Sequence, residues 1–155
     1  MTSGDATKPT GPVLVGYDGE GPSKLALEHA LREAQERGVE VVILVVAGIP
    51  LQTVDTLEPG IMDVGYIPPI PEDGPIEIQS ILADARSALE AAPVEGTVEW
   101  SLGDPAGELI RVAEEQGAGA IVVGAHHHSA LARLFGADTA AELVRSAPCE
   151  VIVAR

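Results

Sequence analysis

Gly119-Ala120-Ile121-Val122-Val123-Gly124-Ala125-His126-His127-His128-Ser129-Ala130-Leu131-Ala132-Arg133-Leu134-Phe135-Gly136 decides how this chain folds. Ala120 to Val123 is a short, branched, apolar run of the kind that forms a buried strand. The run breaks at Gly124, crosses a polar loop and resumes at helical spacing from Leu131. Strand, glycine turn and helix start make an anion-binding corner in α/β proteins. The first helical N–H groups have no partner there, and the helix dipole favours negative charge.

Working outward, the rest of the chain builds the sheet for that corner. Pro12 to Tyr17 reads as a strand, and Asp18-Gly19-Glu20-Gly21-Pro22-Ser23 as a turn into a helix. Either Ser23 caps that helix or Pro22 sits in its first turn. The helix runs to about Arg37, with Leu27, Ala30, Leu31 and Ala34 on one face and Gly38 as its stop. Val39 to Val46 is a second strand, parallel to the first through a right-handed crossover. Helical spacing of Ile78, Ile81, Leu82, Ala85 and Leu89 predicts a helix from about Ile76 to Ala91. Gly96 to Leu102 alternates as a strand. Asp104 and Pro105 then supply a cap and a first helical residue, ahead of an inner side of Leu109, Ile110, Val112 and Ala113. A last helix is expected near 130–146, with Leu131, Leu134, Phe135, Leu143 and Val144 facing inward. Cys149 to Ala154 is the final strand.

Five strands alternating with four helices call for an α/β fold, an open five-stranded parallel sheet with helices on both faces, Rossmann-like in plan. Residues 1–11 read as a disordered polar lead and 12–155 as one domain. Residues 47–75 interrupt it as an insert holding Pro50, Pro59, Pro68, Pro69, Pro71 and Pro75. Its apolar residues suit a flap packed on its own domain, or a lid or dimer arm.

Composition narrows the function. Aromatic residues are 3% of the chain, so Val, Leu, Ile and Ala must build the core. The net charge is −15, from 24 acids against 9 scattered bases. Nucleic-acid binding needs clustered Lys and Arg to neutralise phosphates, so neither nucleic acid nor an anionic membrane is an expected partner. No stretch approaches about 18 consecutive apolar residues. The opening residues lack the apolar run of a signal peptide. The single Cys149 precludes an internal disulfide framework, and a cytoplasmic location is the simplest expectation.

A resemblance joins these pieces. Val-Leu-Val-Gly-Tyr-Asp-Gly at 13–19, Gly103-Asp104-Pro105-Ala106-Gly107-Glu108-Leu109-Ile110, Ile-Val-Val-Gly at 121–124, Leu-Ala-Arg-Leu-Phe-Gly at 131–136 and Ala147-Pro148-Cys149-Glu150-Val151-Ile152-Val153 resemble, in order and spacing, the signature of the universal stress protein family. The resemblance implies an adenine nucleotide alpha hydrolase-like fold, a cytoplasmic stress-response protein, and a homodimer through the last strand, Glu150 to Ala154. It also implies that Asp18 meets an adenine ring; without it, Asp18 reads as a turn residue satisfying local backbone donors. Asp18, Gly19, Val46, Gly124, His126, His127, Ser129, Gly136, Ala137 and Asp138 are the candidate binding residues.

The nucleotide-binding members show Gly-x2-Gly-x9-Gly-Ser/Thr. Here Gly124 matches the first glycine, but His127, Ala137 and Asp138 occupy the other places, with Gly136 one residue early. A histidine restricts φ where backbone must approach phosphate. An ionised Asp138 only accepts hydrogen bonds and repels phosphate, by about 4 kcal/mol at ~4 Å and an effective dielectric of ~20. The expectation is a regulatory or interaction domain with a degenerate nucleotide loop and no cofactor; ATP or AMP binding as a nucleotide-responsive switch is the alternative. His126-His127-His128 is a solvated loop, an anion site when protonated, or part of a metal site joined by Asp138 or Asp18. No Gly-x-Ser-x-Gly, His-Glu-x-x-His or Walker motif is present, so nothing in the sequence points to an enzyme.

Overall fold

A computed structural model describes residues 10–48, 70–125 and 139–155. Most of the 47–75 insert and all of 126–138 lie outside them. In chain order the elements are β1 (Val13–Gly16), α1 (Gly21–Arg37), β2 (Val41–Ala47), α2 (Ile76–Ala91), β3 (Gly96–Leu102), α3 (Pro105–Gln116), β4 (Ala120–Gly124), α4 (Thr139–Ser146) and β5 (Glu150–Ala154).

The five strands form one parallel sheet in the order β3-β2-β1-β4-β5. Its centre is sealed on both faces: Val13, Val15, Val41, Ile43, Ala120, Ile121 and Val122 show no exposure. That explains why these strands read as continuous apolar runs rather than alternating ones. Val13, Val15, Ile43 and Val45 pack with Ala26, Ala30 and Ala34 of α1 and Ile78, Leu82 and Ala85 of α2. On the other face Leu14, Val42, Leu44 and Ile121 pack with Ala106, Leu109 and Val112 of α3 and Leu143 of α4. Alanines on α1 let that helix lie close to the sheet, so a core with few large rings still closes.

Helix boundaries follow local chemistry. Asp104 caps α3 by accepting from the Gly107 N–H at 2.9 Å. Gly38 and Gly117 end α1 and α3 in the left-handed region, at φ 68° and 64°. At the end of α1 the Arg37 guanidinium donates to Glu33 and, at 2.8 Å, to Glu150 at the start of β5, tying helix to edge strand.

Three expectations change in detail. β2 starts at Val41 and ends at Ala47, because Val39 is still held to the end of α1 through the Ala34 carbonyl. Val144 does not face inward but is 65% exposed. One residue is a 100° turn of helix, so Leu143 and Val144 cannot share a face that narrow. The final strand starts at Glu150 rather than Cys149, which is half-buried beside the second core cluster; burial, then Glu150, raise its thiol above the usual cysteine value.

Leu143 is the buried anchor of α4. Leu143→Ala is expected to cost about 2–5 kcal/mol, the range for deleting a buried leucine. Urea denaturation followed by circular dichroism checks this; a loss below about 1 kcal/mol would show that α4 is docked by other contacts.

Candidate functional site

The sheet has one topological switch point. From β1 the chain proceeds outward through β2 and β3, then returns to lay β4 on the other side of β1. In open parallel sheets ligands bind at the carboxyl ends of the strands beside such a switch point.

After β1 the Tyr17 N–H still donates to the Leu44 carbonyl, and the chain then turns sharply. Gly19 makes the turn at φ 81°, in the left-handed region. A Cβ there would stand 3.5 Å from the Ile81 side chain, so α2 lies over this turn. Asp18 Oδ1 accepts from the Glu20 N–H at 2.9 Å and from the Ser23 hydroxyl at 2.7 Å. The Asp18 N–H donates back to Ser23 Oγ at 3.2 Å. Asp18 does act as a turn residue that satisfies a local backbone donor.

Ser23 is not the cap that its position suggested. The cap position belongs to Glu20, which makes no side-chain cap bond; Pro22 sits in the first turn, as its fixed φ favours. Ser23 lies inside the helix and is 2% exposed. Sequence reasoning missed its role because a serine near a helix start satisfies the cap pattern at several offsets. The fold chose Glu20 because its extended backbone carries the turn into the helix.

Gly124, the last residue of β4, meets the start of α1. A Cβ at this position would fall 2.4 Å from the Pro22 carbonyl carbon and oxygen. Glycine is therefore required by backbone packing between β4 and α1, whatever the loop beyond does. Val46, near the end of β2, is half-buried on the face of the second core cluster. Its register partner on β3 is Ser101, whose buried hydroxyl has no hydrogen-bond partner among the described residues. Burial, then the charges of Asp84 and Asp18, raise the Tyr17 phenol above its ordinary value, which keeps it neutral beside the turn.

The fold thus brings Asp18, Gly19, Val46 and Gly124 to the carboxyl edges of β1, β2 and β4, which are neighbours. His126, His127, Ser129, Gly136, Ala137 and Asp138 lie outside the described residues. Among those described, no group of three or more His, Cys, Asp or Glu side chains is placed to hold a metal ion. No described helix is long and apolar enough to cross a membrane.

Fold and topology define a class: open parallel α/β domains with a switch point between β1 and β4. Within it, this chain belongs to the universal stress protein family, whose profile matches residues 10–155. It is 29% identical over 145 residues to universal stress protein YxiE of Bacillus subtilis (strain 168), covering 92% of this chain and 97% of that protein. The fold is shared with a universal stress protein solved in complex with cAMP, at TM-score 0.65 and 21% identity over 94% of this chain and 98% of the other. It is also shared with one from Archaeoglobus fulgidus solved in complex with dAMP, at TM-score 0.63 and 23% identity over 95% and 99% of the two chains.

Gly124→Ala tests the close approach. Forcing a methyl group against the Pro22 carbonyl is expected to destabilise the fold by about 1–3 kcal/mol or more, the cost of overpacking. Thermal unfolding with and without ligand reads this; an unchanged midpoint would mean that α1 can move away from β4 freely.

Proposed function

We propose that this chain is a non-catalytic regulatory domain that responds to an adenine nucleotide carrying few phosphates, and that it holds triphosphate weakly or not at all. The observation that carries the reading is the Asp18 carboxylate, fixed at the switch point by Glu20 and Ser23. A carboxylate only accepts hydrogen bonds, so it suits the exocyclic amino group of adenine and rejects a carbonyl at that position. Gly19 lets the chain turn in the left-handed region beside it, and Gly124 lets β4 approach the start of α1.

The sequence after Gly124 argues against polyphosphate. The chain bears −15, and a histidine and an aspartate hold the motif positions where the family's nucleotide-binding members have a glycine and a hydroxylated residue. Each added phosphate brings further negative charge towards that loop. The ligands in the two nucleotide complexes reported above, cAMP and dAMP, each carry one phosphate. Nothing in the sequence supplies a nucleophile and base at catalytic spacing, which supports a binding rather than a hydrolytic role.

Calorimetry at pH 7.5 decides between ligands. AMP is expected to bind with a Kd of about 10–1000 μM and ATP at least about tenfold more weakly, a difference of about 1.4 kcal/mol. ATP binding tighter than AMP would overturn the reading.

A second copy of the chain is the partner this fold best accommodates. β5 is an outer strand, and among the described residues no strand pairs its open side, which a second strand can complete. Val144, beside it in sequence on α4, adds an exposed apolar side chain. Light scattering is expected to give twice the 16.0 kDa chain mass; a single-chain mass across the micromolar range would rule the dimer out.

A further inference from the structure

We propose that two copies of this chain join their β5 strands antiparallel about a twofold axis at Ile152, so that Val151 faces the partner's Val153 and the two sheets become one. The proposal rests on the second-copy reading of β5 given above and assigns the register of that contact.

The direction of the backbone in β5 decides which groups are on offer. The Ala154 carbonyl accepts from the Ala125 N–H at 3.2 Å, so the main chain of Ala154 is turned towards β4. A strand turns its polar groups to alternate sides. Glu150 and Ile152 therefore face β4 in the same way, and Val151 and Val153 turn their N–H and C=O groups to the open side. Side chains alternate between the two faces of the sheet. Ile152 packs with the core cluster of α1, and Val151 and Val153 pack with the cluster of α3 and α4. Among the described residues no strand takes up the open side of β5.

These outward groups exclude most ways of pairing. In a parallel pair, a residue facing the seam bonds the two residues that flank its opposite number. Identical strands could do so only when offset by one residue. A closed pair of copies needs a twofold axis, which allows no such offset. Antiparallel pairing has no conflict, because residues that face the seam meet directly and exchange both bonds. With the axis at Ile152, Val151 meets the partner's Val153, Val153 meets the partner's Val151, and every residue of β5 is opposed by another of β5. An axis at Val151 would pair Val153 with the partner's Cys149, and an axis at Val153 would pair Val151 with the partner's Arg155, both outside the strand. An axis at Glu150 would set two carboxylates face to face, which destabilises a sheet. With the axis at Ile152, Glu150 instead meets the partner's Ala154, and its charge is already met by Arg37 at 2.8 Å. The carboxyl ends of the two sheets then point in opposite directions. That brings the Arg37–Glu150 bridge of one copy beside the carboxyl end of its partner's β5.

Single cysteines locate the axis, because a disulfide needs Cα atoms about 4.4–6.8 Å apart. In a Cys149→Ser background, Ile152→Cys is expected to give a covalent dimer on mild oxidation, seen on a non-reducing gel. Val151→Cys and Val153→Cys are each expected to stay single chains, because neither residue lies opposite its own copy. A cross-link at Val151→Cys or Val153→Cys would move the axis and overturn the register, as would the absence of a cross-link in all three variants. Val153→Pro gives an independent check. It removes an N–H that faces the second copy and none that faces β4, a place where an edge strand tolerates proline. Its circular dichroism spectrum is expected to match wild type while its mass by light scattering falls to that of one chain. A Val153→Pro chain that stays dimeric would overturn the proposal. A wild-type chain that scatters as a single copy would instead overturn the second-copy reading, and this register with it, before any substitution is made. A wild-type dimer without the Ile152→Cys cross-link overturns the register alone.

Discussion

The structure depends on how closely β4 can approach the start of α1. Gly124 ends the strand with no room for a side chain, because the Pro22 carbonyl occupies the place a Cβ would take. This contact sets the start of α1 against the end of β4, so Asp18 and Gly124 lie at the same edge of the sheet although more than a hundred residues separate them. A larger residue at either position would part helix from sheet and open the edge on which any ligand must rest.

Behind that contact the molecule is a sheet sealed on two sides with small and branched side chains. Alanines at 26, 30 and 34 let α1 cover β1 and β4, while Leu109, Val112 and Leu143 fill the opposite layer. Close packing of this kind transmits small displacements, because interiors have few voids to absorb them. The Arg37 bridge to Glu33 and Glu150 extends the same linkage from the end of α1 to the outer strand β5. One helix therefore touches both the crevice at one end of the sheet and the edge strand at the other.

The chemistry along this edge of the sheet is lopsided. At the end of β1 stands a carboxylate that accepts from the Glu20 N–H and the Ser23 hydroxyl. Between Gly124 and Asp138 the sequence holds one arginine, Arg133. An acidic chain of this composition gains little by drawing in polyanions, since every added phosphate works against the overall field. The adenine nucleotide of few phosphates proposed above is the ligand that accords with this balance.

Much of the architecture was legible in the residues. Continuous runs such as Val41 to Val46 announced strands buried on both faces, Gly38 and Gly117 marked helix ends, and Asp104-Pro105 marked a start, because each rests on local sterics or hydrogen bonding. Motif order and spacing pointed to the family, and with it to Asp18 and Gly124, which the fold places at the ends of neighbouring strands. What the sequence could not decide were choices between locally equivalent options. Ser23 looked like a cap and is a buried partner of Asp18, since only the tertiary position of the turn determines where its hydroxyl points. Val144 looked like core and faces solvent, since the helix can bury one flank and the sheet gave that place to Leu143. Gly124 looked like a phosphate glycine, and its first requirement is room for the Pro22 backbone. Local chemistry therefore specified the elements and their ends. Only the packing of distant segments decided what each polar or small residue meets, because that depends on which surfaces the sheet brings within reach.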